Sequence, residues 1–393
     1  MNLSNAFLSL VVLSLLTWAY LLLGRHGFWR ARPRIEDEQD APPALWPAVV
    51  AVVPARDEAE TIAAALRSLL GQDYRGTLTV VLVDDHSGDR TKAIAEGLAA
   101  RARSRLEVIE ALPLPPGWSG KLWAMANGLR HAERLAPAAA YVLLTDADIA
   151  HAPDNLTRLV ARAEAARLDL VSLMVRLRCA RFWERLLIPP FVFFFQKLYP
   201  FAAVNDPGSR AAAAAGGCML MRRQALREAG GIEAIRGELI DDVALARAIK
   251  HRPGGGRIWL GLGRTTRSLR PYACLGDVWA MVARTADTQL GHSLLLLAGT
   301  LLGLAIAYLG PPLALLAGLT EGDPWLAGLG ALGLAGMVVA FLPTLRLYEL
   351  APGWSLTLPV AALLFAAMTV DSAIQYRRGA GGRWKGRVLT PEA

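Results

Sequence analysis

The chain has 393 residues, a formal net charge of +8 and 54% hydrophobic residues, with a mean hydropathy of +0.33. Its length exceeds that of one ordinary domain and its hydropathy excludes an ordinary soluble protein, so we expect membrane segments. The 3 cysteines have no Cys-x-x-Cys spacing and the 6 histidines are scattered, which excludes a disulfide framework and a zinc site. The cysteine pattern also suits a reducing compartment.

The first predicted element is a transmembrane helix in residues 1–24. Residues 5–24 carry no charge, and about 20 apolar residues are enough to cross a bilayer. The segment has no basic start and no small-residue cleavage site, so we interpret it as an anchor and not as a removed signal.

Residues 25–46 form a linker that is first basic and then acidic. Its arginines lie beside Trp29, which fits the positive-inside rule and contact with anionic lipid better than nucleic-acid binding. We therefore expect no nucleic-acid partner, and we expect the polar block that follows to face the cytoplasm.

An α/β domain is predicted over residues 47–290. A buried strand at 46–54 precedes a helix from Ala55 to about Gly71, and a strand at 78–83 precedes an alanine-rich helix. This alternation is typical of a doubly wound α/β sheet. No G-x-G-x-x-G follows the first strand, so a dinucleotide site is not supported. Further strands are predicted at 106–109, 141–144, 170–175 and 216–221.

Asp146 and Asp148 follow the apolar strand at 141–144 almost directly. A buried parallel strand brings such side chains to the edge of the sheet where ligands bind. Two carboxylates there can hold a hard divalent cation, which in turn can neutralise a diphosphate. Taken alone, an Asp-x-Asp pair is more often an ordinary strand end or helix cap.

Three other groups have both a functional and a plain interpretation. Lys121 follows Gly120 at the start of a helix predicted over 122–129, where it can meet phosphate oxygens. Asp241 and Asp242 open a later helix, and alone they form an ordinary N-cap pair. The Gly-Gly pair at 216–217 permits close approach of the backbone to a ligand, with a β-bulge or tight turn as the equal alternative.

Four segments in this order resemble the inverting family 2 glycosyltransferases, which have a GT-A fold. They are residues 53–58, 83–89, 145–148 and 240–245. The resemblance covers about residues 48–290. Within that family the chain most resembles the membrane-bound glycosyltransferases associated with hopanoid biosynthesis. The segments that carry the narrower resemblance are 117–124, 281–286, 288–290 and 383–387.

The resemblance implies a role for each matching residue. It implies a nucleotide pocket lined by Pro54, Ala55, Glu58 and Asp85, with Asp85 accepting a hydrogen bond from the base. Lys121 would meet the donor, expected to be a UDP-sugar, near its diphosphate. Asp148, helped by Asp146, would hold Mg²⁺ or Mn²⁺, and Asp242 would be the general base at the acceptor hydroxyl.

The chain departs from the family pattern in two places. Asp241 and Asp242 stand where the family has Glu-Asp, which leaves Asp241 as the alternative base. Of the motif (Gln/Arg)-x-x-Arg-Trp only Arg284 is present. Because processive synthases use that motif to hold the acceptor and diphosphate, its loss favours transfer of a single hexosyl or N-acetylhexosaminyl group.

Residues 291–374 are predicted to contain C-terminal membrane segments, at about 291–318, 325–344 and 354–370, followed by a basic tail at 375–393. If all three cross, the tail lies outside, against the positive-inside rule. One segment is then expected to be re-entrant or interfacial, with Pro311 and Pro312 marking a break; the alternative is that the tail is outside.

Residues 186–204 are aromatic and interrupted by prolines. We interpret them as an interfacial segment that admits a lipid acceptor, and a core helix under the sheet is the alternative.

The combined expectation is a multi-pass protein of the bacterial inner membrane whose catalytic domain faces the cytoplasm. It would transfer one sugar to a lipid in hopanoid or related lipid biosynthesis, with other enzymes of that pathway as candidate partners. One alternative is transfer to a polyprenyl phosphate, which needs no strong base. Another is a non-catalytic nucleotide-sugar-binding component, against which the presence of both Asp148 and Asp242 counts.

Overall fold

The computed structural model describes residues 3–102 and 105–379. The segment at 383–387 and most of the basic tail therefore lie outside the described residues. Internal contacts divide the chain into two units. The helical unit takes its described residues from Met1–Arg32, Cys179–Ala202 and Tyr272–Gly381. The α/β unit takes them from Pro33–Arg178 and Ala203–Pro271.

The helices and strands are numbered separately along the chain. The helices are α1 (Leu3–Ala19), α2 (Ile62–Leu70), α3 (Thr91–Ala99), α4 (Gly120–Leu135), α5 (Asn155–Ala165), α6 (Phe182–Leu198), α7 (Phe201–Asn205), α8 (Arg223–Glu228), α9 (Asp241–Lys250), α10 (Leu275–Ala283), α11 (Ala286–Gln289), α12 (Leu294–Leu304), α13 (Gly310–Glu321), α14 (Pro324–Leu347) and α15 (Leu358–Arg377). The strands are β1 (Val49–Ala55), β2 (Leu78–Asp84), β3 (Arg105–Glu110), β4 (Tyr141–Thr145), β5 (Ile149–Ala150), β6 (Leu170–Arg176), β7 (Cys218–Arg222) and β8 (Ile258–Ser268).

Within the described residues, the α/β unit forms one sheet in the order β3-β2-β1-β4-β7-β6-β8-β5. Strands β1 to β4 are parallel to their neighbours in that series, and β7 is antiparallel to β4. Every residue of β1 and β4 is buried, which explains their unbroken apolar sequences, since both faces of the sheet are covered. The predicted α/β fold is confirmed. The carboxyl ends of β1, β2 and β4 meet at one edge of the sheet.

Helix α4 lies close against β1 and β2 because Gly128 has no side chain. A Cβ at this position would lie 2.4 Å from Val52 Cγ1 and 2.8 Å from Val83 Cγ2. The first turn of α4, which carries Lys121, is thereby held at a fixed height above the sheet. Ser119 caps this helix, because its side chain accepts a hydrogen bond from Leu122 N.

The helix predicted from Ala55 begins only at Ile62. Asp57 has φ 51°, in the left-handed region, which interrupts a helix. Its backbone N donates to Ser87 Oγ and its Oδ1 accepts from Gly88 N, at 3.1 and 2.7 Å. The loop after β1 is thus fastened to the loop after β2.

The helical unit contains four helices that are long and apolar enough to cross a membrane, judged by length and composition within the described residues. They are Phe7–Gly24, Leu294–Glu321, Pro324–Leu347 and Pro352–Arg377. The unit also includes α6 and α10, which the sequence analysis assigns to the domain at 47–290. Aromatic packing accounts for the position of α6: Phe193 and Phe194 contact Phe341 and Phe365, with ring centroids 5.3 and 5.1 Å apart.

The backbone stays helical across Pro311 and Pro312, where the sequence predicts a break. Pro311 has no N–H for the carbonyl of Ala307, and a π turn at Ala305–Leu309 precedes it. The indole Nε1 of Trp18 donates to that carbonyl at 2.7 Å. The hydrogen bond lost at the proline is therefore replaced from α1.

Candidate functional site

The residues predicted to line a nucleotide pocket lie at the ends of β1 and β2. Pro54 and Ala55 end β1, and Asp85 follows β2 with its backbone N donating to Ala55 O at 2.8 Å. Asp85 is buried, and Arg56 Nη1 lies 3.6 Å from its Oδ2. The structure thus brings these residues together and adds Arg56, which the sequence analysis does not identify.

Arg270 joins two of the predicted acidic residues. Its Nη2 donates to Glu58 Oε1, and its Nε lies 3.4 Å from Asp148 Oδ2. Ser268 Oγ donates to the same Asp148 oxygen at 2.6 Å. Asp148 is only 5% exposed, so these contacts define the position of its carboxylate.

Lys121 bridges the acidic residue after β4 and the acidic pair of α9. Its Nζ lies 3.0 Å from Asp146 Oδ1 and 3.1 Å from Asp241 Oδ2. The two acidic motifs are separated along the chain by almost one hundred residues, yet one ammonium group contacts both. Sequence analysis places Lys121 near a diphosphate but does not predict these ion pairs.

The charges of this group alter its protonation. Burial alone would lower the pKa of Lys121, but Asp146, Asp241 and Asp242 outweigh it and raise that pKa well above its usual value. Burial raises the pKa of Asp146, and the Lys121 ammonium opposes this rise. Lys121 is therefore a permanent cation among several carboxylates.

Asp242 has a different environment from Asp241. Its Oδ2 accepts from Gly216 N and its Oδ1 from Val243 N, each at 2.8 Å. Burial raises the pKa of Asp242 to about 6, helped by Asp241 and opposed by Lys121. The side chain is thus ionised at neutral pH but remains a stronger base than an ordinary aspartate.

The Gly-Gly segment before β7 connects the two acidic sites through its backbone. Gly217 O accepts from Asp146 N at 3.4 Å and from Thr145 Oγ1 at 2.8 Å, while Gly216 N holds Asp242. A Cβ on Gly216 would lie 3.4 Å from both Asp242 Oδ2 and Lys121 Nζ. Gly216 and Gly217 form a turn in which Cys218 N donates to Ala215 O at 3.4 Å. The tight-turn alternative is therefore observed, and close approach of the backbone to a ligand stays a prediction.

His151 supports the end of β4. Its Nδ1 and Nε2 lie 3.0 Å from Asn155 Nδ2 and Thr145 Oγ1. Because Asn155 Nδ2 is a donor, Nδ1 accepts and Nε2–H donates to Thr145. Burial lowers the pKa of His151 to about 4, so this neutral chain of hydrogen bonds persists through the physiological pH range.

Asp146 and Asp148 are the carboxylates that a divalent cation would use. Within residues 3–102 and 105–379 no cluster of three or more His, Cys, Asp or Glu side chains has the arrangement of a metal site. Two carboxylates nevertheless fit Mg²⁺ or Mn²⁺, because such ions are commonly held by one or two carboxylates together with substrate phosphates and water. Both carboxylates already contact a cationic side chain, Asp146 that of Lys121 and Asp148 that of Arg270.

Arg284 lies at the end of α10, in the helical unit. Its assigned role remains a prediction. Ser268 and Arg270, in contrast, are functional candidates that only the structure reveals. They reach Asp148 because β5 pairs antiparallel with β8, placing Ile149 opposite Ser268.

A sheet of this topology, with acidic side chains at the carboxyl ends of its strands, defines a GT-A-like α/β fold. The profile of the family described as Glycosyl transferase family 2 matches residues 50–230. The match to a glycosyltransferase family 2 domain thus applies to this part of the chain, which is a little less than half of its length.

One curated protein is similar in sequence to part of the chain. The chain is 36% identical over 141 residues to the succinoglycan biosynthesis protein ExoO of Rhizobium meliloti (strain 1021), a match that covers 34% of this chain and 37% of that protein. The match thus spans little more than a third of that relative's length.

One solved structure aligned over most of its length shares the fold. The mannosyltransferase PcManGT from Pyrobaculum calidifontis, solved with GDP-Man and Mn²⁺, aligns with a TM-score of 0.53 and 21% identity over 93% of this chain and 98% of its own. Glucosyl-3-phosphoglycerate synthase from Mycobacterium tuberculosis, solved with Mn²⁺, UDP and phosphoglyceric acid, aligns with a TM-score of 0.41 and 20% identity over 62% of this chain and 78% of its own.

Proposed function

We propose that this protein is a membrane-bound inverting glycosyltransferase that moves one sugar from a nucleotide-sugar donor to a lipid hydroxyl. The observation that carries the proposal is the Lys121 bridge between Asp146 and Asp241, at 3.0 and 3.1 Å. It supports the proposal because one ammonium group joins the acidic residue that we assign to the donor with the acidic pair that we assign to the acceptor. A nucleotide-binding component without catalysis has no need of the second acidic pair.

The donor would lie at the carboxyl ends of β1, β2 and β4. Pro54, Ala55, Glu58 and Asp85 would contact the nucleotide, which we expect to be uridine. Asp148 and Asp146 would hold Mg²⁺ or Mn²⁺, which when bound neutralises charge that develops on the departing diphosphate. Lys121 would add a second cationic contact on the same side. Arg284 is assigned to the donor as well, on the resemblance of its motif alone.

Asp242 would act as the general base. The acceptor hydroxyl attacks the anomeric carbon, the bond from that carbon to the diphosphate breaks, and the hydroxyl proton passes to a carboxylate oxygen. Asp242 suits this step because its pKa is raised to about 6 while its carboxylate is held by two backbone N–H groups. Asp241 lies 3.1 Å from the Lys121 ammonium, so we assign it to orienting Lys121.

The acceptor is proposed to be a membrane lipid. Support comes from the four candidate membrane spans and from the aromatic helix α6, which packs among them. The narrower proposal, a hopanoid acceptor modified at the cytoplasmic face of a bacterial inner membrane, rests on the motif resemblance and on the arginines after α1. Loss of the family's acceptor-holding motif, apart from Arg284, supports transfer of one hexose or N-acetylhexosamine.

The test is a comparison of extracted lipids by mass spectrometry. Cells expressing the wild-type chain, Asp242→Asn or the partly exposed control Asp154→Asn would be compared with cells lacking the protein. We expect a lipid heavier by one hexose or N-acetylhexosamine with the wild type and the control, and its absence with Asp242→Asn. A sugar-bearing polyprenyl phosphate would instead identify the alternative acceptor. An identical glycolipid profile in all four cultures would contradict the proposed activity.

A further inference from the structure

Lys197 is a cation in the last turn of α6 whose ammonium is directed into aromatic side chains. Its Nζ lies 3.1 Å from the hydroxyl of Tyr308. The same atom lies 4.8 Å from the ring centroids of both Phe194 and Tyr308. Ring faces and a phenol are neutral partners, which compensate a positive charge only in part.

The ammonium lies beside a residue of one candidate membrane span, and that residue packs against a second span. Tyr308 belongs to the span Leu294–Glu321 and packs edge-on against Trp18, with centroids 5.6 Å apart. Trp18 precedes the end of the span Phe7–Gly24 by 6 residues, which is about 9 Å along a helix. Lysines near the end of a span usually extend their ammonium towards water. Lys197 does the opposite.

The charged group that acts electrostatically on Lys197 is another cation, Arg25. Arg25 donates from Nε to Lys197 O at 3.1 Å and from Nη2 to Leu198 O at 3.2 Å. Burial lowers the pKa of Lys197, and the Arg25 guanidinium lowers it further. Arg25 also occupies two of the carbonyls at the C-terminus of α6 that would otherwise favour a cation there. Within the described part of the chain, the ion pairs include no carboxylate contact to Lys197.

We propose that Lys197 and Arg25 bind the phosphate group of an anionic membrane lipid. Two neighbouring cations in an apolar setting are stabilised by a bound anion through charge-assisted hydrogen bonds. We assign the phosphate to a lipid because the ammonium contacts Phe194 and Tyr308, and Tyr308 lies in a candidate membrane span, where a phosphate group arrives attached to acyl chains. The proposed site does not depend on glycosyl transfer. The lipid that it binds need not be the acceptor of the sugar.

The experiment uses the full chain, purified in non-ionic detergent and freed of lipid, and measures thermal unfolding while phosphatidylglycerol is added. A ligand that binds the folded state raises the melting temperature. We expect this rise with the wild type, Asp242→Asn and Arg30→Gln. Arg30 is an exposed arginine after the same span, and so serves as a matched control. Lys197→Met, which removes the charge at similar length, is expected to weaken the lipid affinity roughly tenfold or more.

Diacylglycerol with the same acyl chains, and inorganic phosphate alone, are the two ligand controls. Neither is expected to stabilise the wild type as phosphatidylglycerol does. Equal stabilisation by diacylglycerol would overturn the proposal, because no phosphate would be needed, and equal stabilisation by inorganic phosphate would show a site for free anions. An equal loss of affinity in Arg30→Gln would show only diffuse attraction to anionic lipid.

Folding of the variant is measured without lipid. Because Lys197→Met removes a poorly compensated cation, its lipid-free melting temperature should be no lower than that of the wild type. If it fails to fold, Lys197→Gln keeps a polar terminus and is measured in its place. Unchanged phosphatidylglycerol affinity in either folded variant overturns the proposal. Because Asp242→Asn should bind the lipid normally, failure of the proposed enzyme activity and failure of this site are distinguishable.

Discussion

Replacing Asp242 by Asn removes the proposed base and keeps the size of the side chain. The amide oxygen can still accept from one of the two backbone N–H groups, Gly216 N or Val243 N, while the other loses its acceptor. Loss of a general base lowers the rate by roughly 10²- to 10⁴-fold, and donor affinity should stay near that of the wild type. In the wild type, a carboxyl with a pKa of about 6 is about 90% ionised at pH 7 and about 10% ionised at pH 5. Because only the ionised form accepts a proton, kcat should fall about tenfold per pH unit below pH 6.

The assay is kcat against pH with donor affinity measured in parallel, for the wild type, Asp242→Asn and the neighbouring variant Asp241→Asn. Asp241 raises the pKa of Asp242. In Asp241→Asn, the fall of kcat at acidic pH, which we call the acidic limb, should therefore move to lower pH while turnover is retained. A wild-type kcat that is flat between pH 5 and 7 would refute the reasoning. Abolished turnover in Asp241→Asn, with turnover kept in Asp242→Asn, would reverse the assignment of the base.

Three further predictions follow from separate contacts. Asp148→Ala should abolish Mn²⁺-dependent donor binding, measured by calorimetry with and without a chelator; donor affinity that is independent of the metal in the wild type would contradict this. Lys121→Met should move the acidic limb of kcat above pH 6, because Lys121 holds the pKa of Asp242 down; an unmoved limb would exclude this electrostatic link. Gly128→Ala should destabilise the fold by about 1 to 3 kcal/mol through overpacking against Val52, measured by denaturant unfolding. A similar loss in Gly97→Ala, where nothing lies within 4 Å of the added carbon, would show that packing is not the cause.

The acidic residues of the site could be predicted from the sequence for a local reason. Asp85 and Asp146 follow buried strands, and the carboxyl ends of neighbouring parallel strands meet at one edge of a sheet. An unbroken apolar run followed by aspartate is therefore visible without knowledge of the remaining chain. Lys121 was predictable from an equally local pattern, its position next to Gly120 at the start of a helix.

The partners of these residues could not be predicted, because they depend on pairing between distant segments. Ser268 reaches Asp148 across a separation of 120 residues, through the antiparallel pairing of β5 with β8. No periodicity in either strand specifies that register. The bridge from Lys121 to Asp241 likewise depends on the positions of α4 and α9 in three dimensions, although both acidic motifs are recognisable alone.

Pro311 shows a different kind of failure. The rule that proline ends a helix is sound where the exposed carbonyl has no other donor. Here the donor is the Trp18 indole, 289 residues away in sequence, and a local rule cannot anticipate it.

That same hydrogen bond has a consequence for how the chain is made. Trp18 leaves the ribosome 289 residues before the carbonyl it will bind, which at about 5 to 20 residues per second is roughly 15 to 60 s. During that interval α1 lacks the helices α13 and α14, which pack against it in the complete unit but have not yet been synthesised. The first candidate span must therefore be stable as a lone helix, or be held by the insertion machinery, until the end of synthesis. A ribosome stalled before residue 294 would release an α/β unit attached to an unpartnered apolar helix, a natural substrate for membrane quality control.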